Sequence, residues 1–321
     1  MQASSELLLR VRAVTWEANN IHSYELVAPD RAALPAFTAG AHIDLHLSNG
    51  MVRSYSLLNS QDERTRYVVG IQKDAKSRGG SRLIHESLHA GDLIKVSGPR
   101  NNFVLDEGAA HTILIAGGIG VTPILCMARR LASLGKSWEV HYCSRTRADA
   151  AFLDEFVALG KVPGGKLHLN FDHEPGGKLL DMGAVVQGAP AGTHFYCCGP
   201  LPMLGAFEAA TAQCDPACVH LEYFSAKEAP VVTGGFKVVA AKSGKEVVVP
   251  EGKTVLDALL DAGVDVQYSC MEGVCGSCEV PILEGQADHR DLVLTKSEQE
   301  AGKTMMVCVS GCKGEKLVLD I

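Results

Sequence analysis

The spacing of hydrophobic and polar positions changes along the chain and divides it into three blocks. Residues 1–105 contain short segments in which apolar and polar residues alternate, separated by turn residues, and one helical segment, SRLIHESL. Alternation with a period of two is typical of half-buried strands. This block therefore predicts a small antiparallel β-barrel with a single capping helix.

Residues 106–226 alternate short apolar runs with helical segments. HTILIAG precedes ILCMARRLASLG, and THFYCCG precedes LPMLGAFEAA. Continuous apolar runs are typical of strands that are buried on both faces, and strands that alternate with helices form βαβ units. The second block therefore predicts an α/β domain with a parallel sheet.

The last part of the chain has a third pattern. Residues 227–235, KEAPVVTGG, predict a linker, and residues 236–321 predict a further domain. That domain begins with a hairpin, FKVVAAKSGKEVVVP, and a helix, TVLDALLDAG, and continues through a cysteine-rich loop to MMVCVSGCKGEKLVLDI. A chain of 321 residues is too long for one ordinary core, which agrees with several domains.

Composition and charge exclude several functions. The net charge of −7 argues against nucleic-acid binding, which usually requires a basic surface. No apolar run reaches the roughly 18 residues that a membrane helix needs. The first apolar run is broken by Arg10 and Arg12, so it does not predict a signal peptide. We expect a cytoplasmic protein, and a monomer, because the chain shows no heptad pattern and no long apolar surface helix.

The eleven cysteines indicate metal chemistry. An odd number of thiols in a reducing compartment fits a metal or redox site better than a set of disulfides. Four of them have the C-x4-C-x2-C…C spacing of a plant-type 2Fe–2S site. We expect glycines in this loop to adopt positive φ angles and to allow close approach of the backbone. The predicted ligands are Cys270, Cys275, Cys278 and Cys308, and the glycines are Gly273 and Gly276.

Two alternatives concern these cysteines. Cys275 and Cys278 alone would permit a structural zinc site, but no second pair completes it and Cys270 would be left over. Cys312 competes with Cys308 as the fourth ligand, although its position in the turn SGCKG makes it the weaker choice.

The segment YSCMEGVCGSCEV, with the preceding hairpin and helix and the distant Cys308, resembles a plant-type ferredoxin domain. That resemblance implies a β-grasp fold. A barrel, a nucleotide domain and a C-terminal ferredoxin, in this order, resemble the phthalate dioxygenase reductase family, which includes vanillate demethylase reductases. The resemblance spans nearly the whole chain and implies an NADH-dependent flavin and iron–sulfur oxidoreductase.

A flavin site is implied by two segments. RSYSLLN, residues 53–59, resembles an R-x-Y-S motif in which Arg53 meets the flavin phosphate, Tyr55 lies along the ring or ribityl chain, and Ser56 bonds the isoalloxazine. KSRGGSRLIHESL, residues 76–88, places glycines and a serine at a helix start, where free N–H groups and the helix dipole favour an anion. By the resemblance this loop binds the phosphate of FMN.

VVGIQK, residues 68–73, is expected along the ring edge. The resemblance also places Phe224 beside the flavin ring, with an ordinary core position as its alternative. FMN is expected rather than FAD, because family members with a C-terminal ferredoxin mostly carry FMN. The expected flavin contacts are Arg53, Ser54, Tyr55, Ser56, Gly70, Ile71, Gln72, Gly79, Gly80, Ser81 and Phe224.

A nicotinamide site is indicated by two turns. ILIAGGIGVTPIL is a strand, a glycine-rich turn and a helix, and its glycines would let the backbone approach a pyrophosphate. Thr122 is expected to cap that helix. YCCGPLPM matches the family's Y-x-C-G-P-x-x-M motif, which implies that Cys198 lies near the nicotinamide C4; the alternative is a buried small side chain.

The same site is expected to prefer NADH. Asp172 ends the strand KLHLNFD, where a carboxylate repels the 2′-phosphate of NADPH and can bond a ribose hydroxyl. Arg145 and Arg147 leave a phosphate-binding alternative open. The expected NAD contacts are Gly117, Gly118, Gly120, Thr122, Ser144, Arg145, Asp172, Cys198, Gly199, Pro200 and Met203.

The three sites together predict an electron-transfer chain. NADH supplies two electrons as hydride, a 2Fe–2S cluster accepts one, and a flavin can connect the two. We expect no side chain to act as a general acid or base. The sequence has no Cys-x2-His pair to complete a Rieske centre, so the acceptor is a separate protein, by resemblance a Rieske-type aromatic oxygenase. A cytochrome P450 is the alternative acceptor, and an iron–sulfur redox sensor is the alternative of another class.

Overall fold

The computed structural model describes residues 6–74 and 79–321. Residues 76–78 of the predicted phosphate loop, and the start of the N-terminal segment, lie outside the described residues. Two compact units are present, Met1–Glu222 and Tyr223–Ile321. In the described residues no helix is both long and apolar enough to span a bilayer.

The first unit begins with an antiparallel barrel. Its six strands follow the order β4-β3-β6-β1-β2-β5, and a bridge between Leu57 and Val69 joins the two ends of that order. One amphipathic helix, α1, packs its Ile84 into the barrel core. The elements are β1 (Glu6–Ala18), β2 (Ile21–Val27), β3 (His42–His46), β4 (Val52–Ser56), β5 (Tyr67–Gln72), α1 (Gly80–Ser87) and β6 (Leu93–Arg100).

The rest of the first unit is an α/β domain with a five-stranded parallel sheet. Its elements are β7 (His111–Gly117), α2 (Val121–Ser133), β8 (Trp138–Ser144), α3 (Leu153–Leu159), β9 (Gly165–Phe171), α4 (Met182–Gln187), β10 (Thr193–Cys198), α5 (Leu201–Thr211) and β11 (Val219–Glu222). The strand order is β11-β10-β7-β8-β9, so the order reverses at β7. Ligands of such sheets bind at the carboxyl ends of the strands beside that reversal.

The second unit has a mixed sheet of order β13-β12-β18-β14-β16. Thr254 and Asp257 form a capping box at the start of its main helix, α6, and this helix buries Leu256 and Leu259 against the sheet. The elements are β12 (Lys237–Ala240), β13 (Lys245–Val248), α6 (Val255–Asp261), β14 (Glu279–Glu284), β15 (Ala287–Asp288), α7 (Lys296–Ala301), β16 (Thr304–Met306), β17 (Gly311–Cys312) and β18 (Lys316–Leu319).

The predicted fold class is confirmed: a barrel, an α/β domain and a β-grasp domain follow one another. Two short helices, α4 and α7, were not predicted, because six residues are too few to show a helical period. The predicted cap of α2 was wrong. Gly120 occupies the N-cap position, and the hydroxyl of Thr122 donates to the Ile119 carbonyl from inside the helix.

Candidate functional site

Residues predicted to bind the flavin phosphate lie together where β4 meets α1. A β-carbon added to Gly80 would lie 2.7 Å from Nε of Arg53, so a glycine is needed for the guanidinium to lie against the helix start. Gly79 has φ +95°, which favours glycine as well. Arg53 and the N-terminus of α1 thus form a positive cradle of the kind that binds a phosphate.

The two serines of the RSYS segment have different surroundings. The hydroxyl of Ser54 donates to Asp44 over 2.7 Å, and Asp44 pairs with Arg100 over 2.6 Å. Ser54 therefore belongs to a polar network of the barrel. Ser56 is buried and hydrogen-bonds Glu222 of β11, which connects the barrel to the nucleotide domain. Burial raises the pKa of Tyr55, so its phenol stays protonated.

The predicted ring-edge residues on β5 also differ from one another. Ile71 is fully buried in the barrel core, whereas Gln72 is exposed. A β-carbon at Gly70 would lie 2.8 Å from Cγ2 of Thr122 and 3.1 Å from Cζ of Phe152. Gly70 therefore lets the nucleotide domain pack closely against the barrel. The contact of this segment with a flavin ring stays a prediction.

The two predicted nucleotide turns lie in contact at the carboxyl ends of β7 and β10. A β-carbon at Gly120 would lie 2.2 Å from the carbonyl oxygen of Cys198, and one at Gly117 would lie 2.7 Å from the sulfur of Met203. Gly199 packs on the same sulfur, and Gly118 has φ +54°. These small residues let the two turns pack closely at the sheet reversal, where a pyrophosphate could approach the backbone.

The other predicted NAD residues lie at the ends of the next two strands. The Asp172 amide donates to the Ser144 carbonyl over 3.2 Å, and the His173 amide donates to the Arg145 carbonyl over 2.9 Å. Oδ1 of Asp172 is buried and has no hydrogen-bond partner among the described residues. A buried carboxylate oxygen without a donor is suited to accept a hydrogen bond from a ribose hydroxyl.

Glu222 was not identified from the sequence. It pairs in register with Cys198, its carboxyl group is hydrogen-bonded to Ser56, and its Oε2 is buried without a hydrogen-bond partner in the described residues. Burial raises the pKa of Glu222 to about 8. Burial and the nearby Glu222 also hold the pKa of Cys198 well above its usual value. Ser56, Glu222 and Cys198 thus form a neutral junction between the flavin and nicotinamide halves.

This junction makes stability depend on pH. Glu222 keeps its proton in the folded chain up to about pH 8, whereas an unfolded chain releases it near 4.5. The folded state therefore loses stability as the pH rises from about 4.5 to 8. We expect Glu222→Gln to remove this loss and to raise the free energy of unfolding at pH 8, relative to pH 5, by about 1–3 kcal/mol. Urea denaturation of the variant and the wild type at pH 5 and pH 8 measures this difference in the free energy of unfolding.

The control for this prediction is Glu86→Gln, which changes an exposed carboxylate of the same unit. This variant should keep the wild-type dependence between pH 5 and pH 8. Equal pH dependence of Glu222→Gln and the wild type would show that Glu222 is ionised in the folded chain.

In the second unit the structure brings together the four predicted cluster cysteines. All four are buried, and the loop between them contains Met271, Gly273 and Gly276 with φ values of 56°, 69° and 76°. The predicted positive φ angles of the two glycines are confirmed. A β-carbon at Gly273 would lie 2.6 Å from Cγ2 of Val309, so the loop is also closely packed.

The four thiols form two hydrogen-bonded pairs. Cys270 pairs with Cys275, and Cys278 pairs with Cys308. Each pair fits one iron of a 2Fe–2S cluster, which takes two thiolates per iron. The amide of Glu272 also donates to the sulfur of Cys270 over 3.3 Å, a contact that would help to set a cluster potential.

Cys312, the competing ligand, has other neighbours. It lies on β17, opposite Ala287, and its sulfur accepts a hydrogen bond from the Gly314 amide over 3.3 Å. Phe224 belongs to the second unit and is 40% exposed, so a core position does not describe it. Its contact with the flavin stays a prediction.

Comparisons with known proteins agree with this arrangement. Residues 9–105 match the family described as the oxidoreductase FAD-binding domain, and residues 114–209 match the oxidoreductase NAD-binding domain. Residues 238–313 match the 2Fe–2S iron-sulfur cluster binding domain. The sequence is 52% identical over 313 residues to phenoxybenzoate dioxygenase subunit beta of Ectopseudomonas oleovorans, covering 98% of this chain and 97% of that protein.

Two solved structures resemble the whole chain. Phthalate dioxygenase reductase, described as a modular structure for electron transfer from pyridine nucleotides to 2Fe–2S, is 37% identical with a TM-score of 0.74, covering 99% of this chain and 98% of that one. An intact type IV self-sufficient cytochrome P450 monooxygenase is 39% identical with a TM-score of 0.87. The match covers 98% of this chain but only 41% of that longer protein.

Sequence identity to relatives over nearly the full length shows the family of this chain. The three matched domains show the type of reaction. The chain belongs to the phthalate dioxygenase reductase family and is an NADH-dependent flavin and iron–sulfur oxidoreductase of the kind that serves aromatic oxygenase systems.

Proposed function

We propose that this protein passes electrons from NADH through FMN and a 2Fe–2S cluster to a separate Rieske-type oxygenase that acts on an aromatic substrate. The observation that carries the proposal is that one chain holds a phosphate cradle, two glycine-rich nucleotide turns in a domain packed on the same barrel, and a four-thiol loop. The phenoxybenzoate and phthalate dioxygenase relatives support an aromatic oxygenase as the acceptor.

Each group of residues has a defined task. The flavin, when bound, converts the two-electron chemistry of a hydride into the one-electron chemistry of an iron–sulfur cluster. Arg53 and the start of α1 bind and orient its phosphate. The glycine turns admit the dinucleotide, and the buried junction of Ser56, Glu222 and Cys198 excludes water where the nicotinamide would lie. Cys270, Cys275, Cys278 and Cys308 hold the cluster.

An anaerobic titration tests this order of events. NADH should bleach a flavin absorption band and then a cluster band, and NADPH should do so much more slowly. Steady NADH-dependent reduction of cytochrome c or ferricyanide separates a reductase from an iron–sulfur redox sensor, which would not turn over. A protein without extractable flavin, or with zinc in place of iron, would overturn the proposal.

The identity of the flavin is a separate part of the proposal. An FMN phosphate would end at Arg53 and α1, whereas an FAD would require additional contacts for its adenosine. Heating the holoprotein releases the flavin, and chromatography against FMN and FAD standards identifies it. Recovery of FAD would overturn this part and leave the rest of the electron path unchanged.

Asp172 is proposed to set the preference for NADH. We expect Asp172→Ser to improve the use of NADPH relative to NADH by about tenfold or more, because the change removes a negative charge next to a 2′-phosphate. The ratio of kcat/KM for the two nucleotides measures the effect. Asp154→Ser, which changes an exposed carboxylate at the start of α3, is the control and should keep the wild-type ratio. An unchanged ratio in Asp172→Ser would exclude this role.

The acceptor is proposed to carry a basic patch. Residues 236–321 have fourteen acidic and nine basic side chains, a net charge of −5, which would steer a positively charged partner. Delivery to a Rieske oxygenase should therefore slow as the salt concentration rises. We also propose that the chain acts as a monomer, which light scattering of the holoprotein tests.

A cytochrome P450 is the second candidate acceptor, favoured by the match to the self-sufficient P450 monooxygenase. Reconstitution with a purified Rieske oxygenase and, separately, with a bacterial P450 distinguishes the two. NADH consumption coupled to product formation should be seen with the Rieske oxygenase. Coupling to the P450 alone would support the second candidate.

A further inference from the structure

A second group of side chains of metal-binding types lies on the nucleotide domain. These residues lie within β8 and β9, before the carboxyl ends of the two strands. Glu139 and His141 are two residues apart on β8 and therefore share one face of the sheet. His168 of β9 stands opposite His141 in register, so it lies on the same face. One donor atom from each of the three residues lies within 4.8 Å of the other two.

The distances between these donor atoms suit a shared ion. Nε2 of His168 lies 3.2 Å from Oε2 of Glu139, and Nε2 of His141 lies 3.7 Å from Oε1 of the same carboxylate. Ligand atoms of a tetrahedral zinc ion lie about 2.0–2.2 Å from the metal and hence about 3.3 Å from one another. The observed separations are therefore close to those of a bound zinc ion.

His141 provides the second observation. Its Nε2 is buried and has no hydrogen-bond partner among the described residues, a situation that normally costs free energy. The rings of His141 and His168 are stacked at 4.5 Å with an interplanar angle of 11°. The side chain of His168 is 50% exposed, so it has room to adjust its rotamer around an ion.

A third histidine lies near the same carboxylate. Nδ1 of His111, at the start of β7, is hydrogen-bonded to the Ser137 hydroxyl over 2.8 Å. Its Nε2 lies 4.0 Å from Oε1 of Glu139. His111 is outside the group of donor atoms that lie within 4.8 Å of one another, so it is a neighbour of this group and not one of its ligands.

We propose that Glu139, His141 and His168 form a binding site for Zn²⁺ that is independent of the redox cofactors. Imidazole and carboxylate together suit this ion, and three protein ligands leave its fourth tetrahedral position for water. A bound ion would connect β8 and β9. It would stabilise the half of the sheet whose carboxyl ends carry Ser144 and Asp172.

The test uses the full chain with its flavin and cluster in place. After treatment with EDTA, the holoprotein is dialysed against ZnCl₂, and zinc, iron and flavin are counted. We expect one zinc per chain with iron and flavin unchanged. Glu139→Gln and His168→Asn should each weaken zinc binding by about 10–100-fold. The control His89→Asn, which changes a histidine whose side chain is 71% exposed, should bind as the wild type does.

A thermal measurement gives a second readout. Zinc at about a hundredfold excess over its dissociation constant should raise the Tm of the first unit by about 5–10 °C. The same addition should leave the Tm of His168→Asn unchanged. Uptake of zinc with loss of iron would place the ion on the cluster cysteines and overturn the proposal. It would also be overturned if His168→Asn bound zinc normally, or if the wild type bound none.

Discussion

Cys275→Ser is expected to stop electron delivery to a one-electron acceptor while the flavin still accepts hydride from NADH. A serine hydroxyl is not deprotonated near neutral pH, so it is a poor replacement for a thiolate ligand. Cys275 is buried and hydrogen-bonded to Cys270. Reduction of cytochrome c should fall by about a hundredfold or more, because the loop can then no longer hold a complete cluster.

Cys312→Ser is the matched control for this variant. It changes a cysteine of the same unit that is bonded to the Gly314 amide rather than to the four thiols. This variant should keep its cluster, seen by its absorption and by the electron paramagnetic resonance signal of the reduced protein. Stopped-flow bleaching of the flavin by NADH should proceed normally in both variants. If Cys275→Ser retained wild-type delivery and Cys312→Ser lost it, the proposed ligand set would be wrong.

Gly120→Ala is expected to have the second largest effect. The added β-carbon would lie 2.2 Å from the Cys198 carbonyl oxygen and 2.5 Å from its carbonyl carbon, both backbone atoms that cannot rotate away. The two nucleotide turns must then move apart. A displacement of about 1 Å at such a position can cost about a hundredfold in rate. NADH should therefore bleach the flavin about 10–100 times more slowly in this variant, measured by anaerobic stopped flow.

Gly205→Ala is the control for this substitution. Gly205 lies inside α5, where a β-carbon would contact nothing within 4 Å, so alanine should be neutral or should raise stability by about 0.5–1 kcal/mol. Flavin content should be normal in both variants, because the phosphate cradle at Arg53 is unchanged. Wild-type flavin reduction in Gly120→Ala would show that the contact between the turns has no role in nicotinamide binding.

Local sequence features predicted most of the fold and much of the candidate site. The cysteine loop and the two glycine turns are short segments whose chemistry depends on spacing, so the sequence alone identifies them. The alternation of strands and helices in residues 106–226 is also a local pattern, and it predicted the parallel sheet. Thr122 shows the limit of this approach: a threonine before a proline is a good cap, but a 3-10 turn at Gly118–Gly120 runs directly into the helix, which begins at Val121.

The parts that were missed depend on contacts between distant segments. Glu222 is important because β11 lies beside β10 in one particular register and because Ser56 of the barrel reaches it. No pattern along the chain connects these residues. The group of Glu139, His141 and His168 likewise depends on the register between β8 and β9. The packing of Gly70 against Thr122 and Phe152 likewise joins distant segments, and its contact with a flavin stays a prediction.

The burial of most cysteine side chains has a practical consequence. Eight of the eleven cysteines are buried, and only Cys214, Cys218 and Cys312 are partly exposed. A maleimide applied to the native protein should therefore label at most these three positions. Loss of the cluster would make four more cysteines available for labelling. The mass of the labelled chain therefore reports the fraction of molecules in a preparation that still carry the cluster.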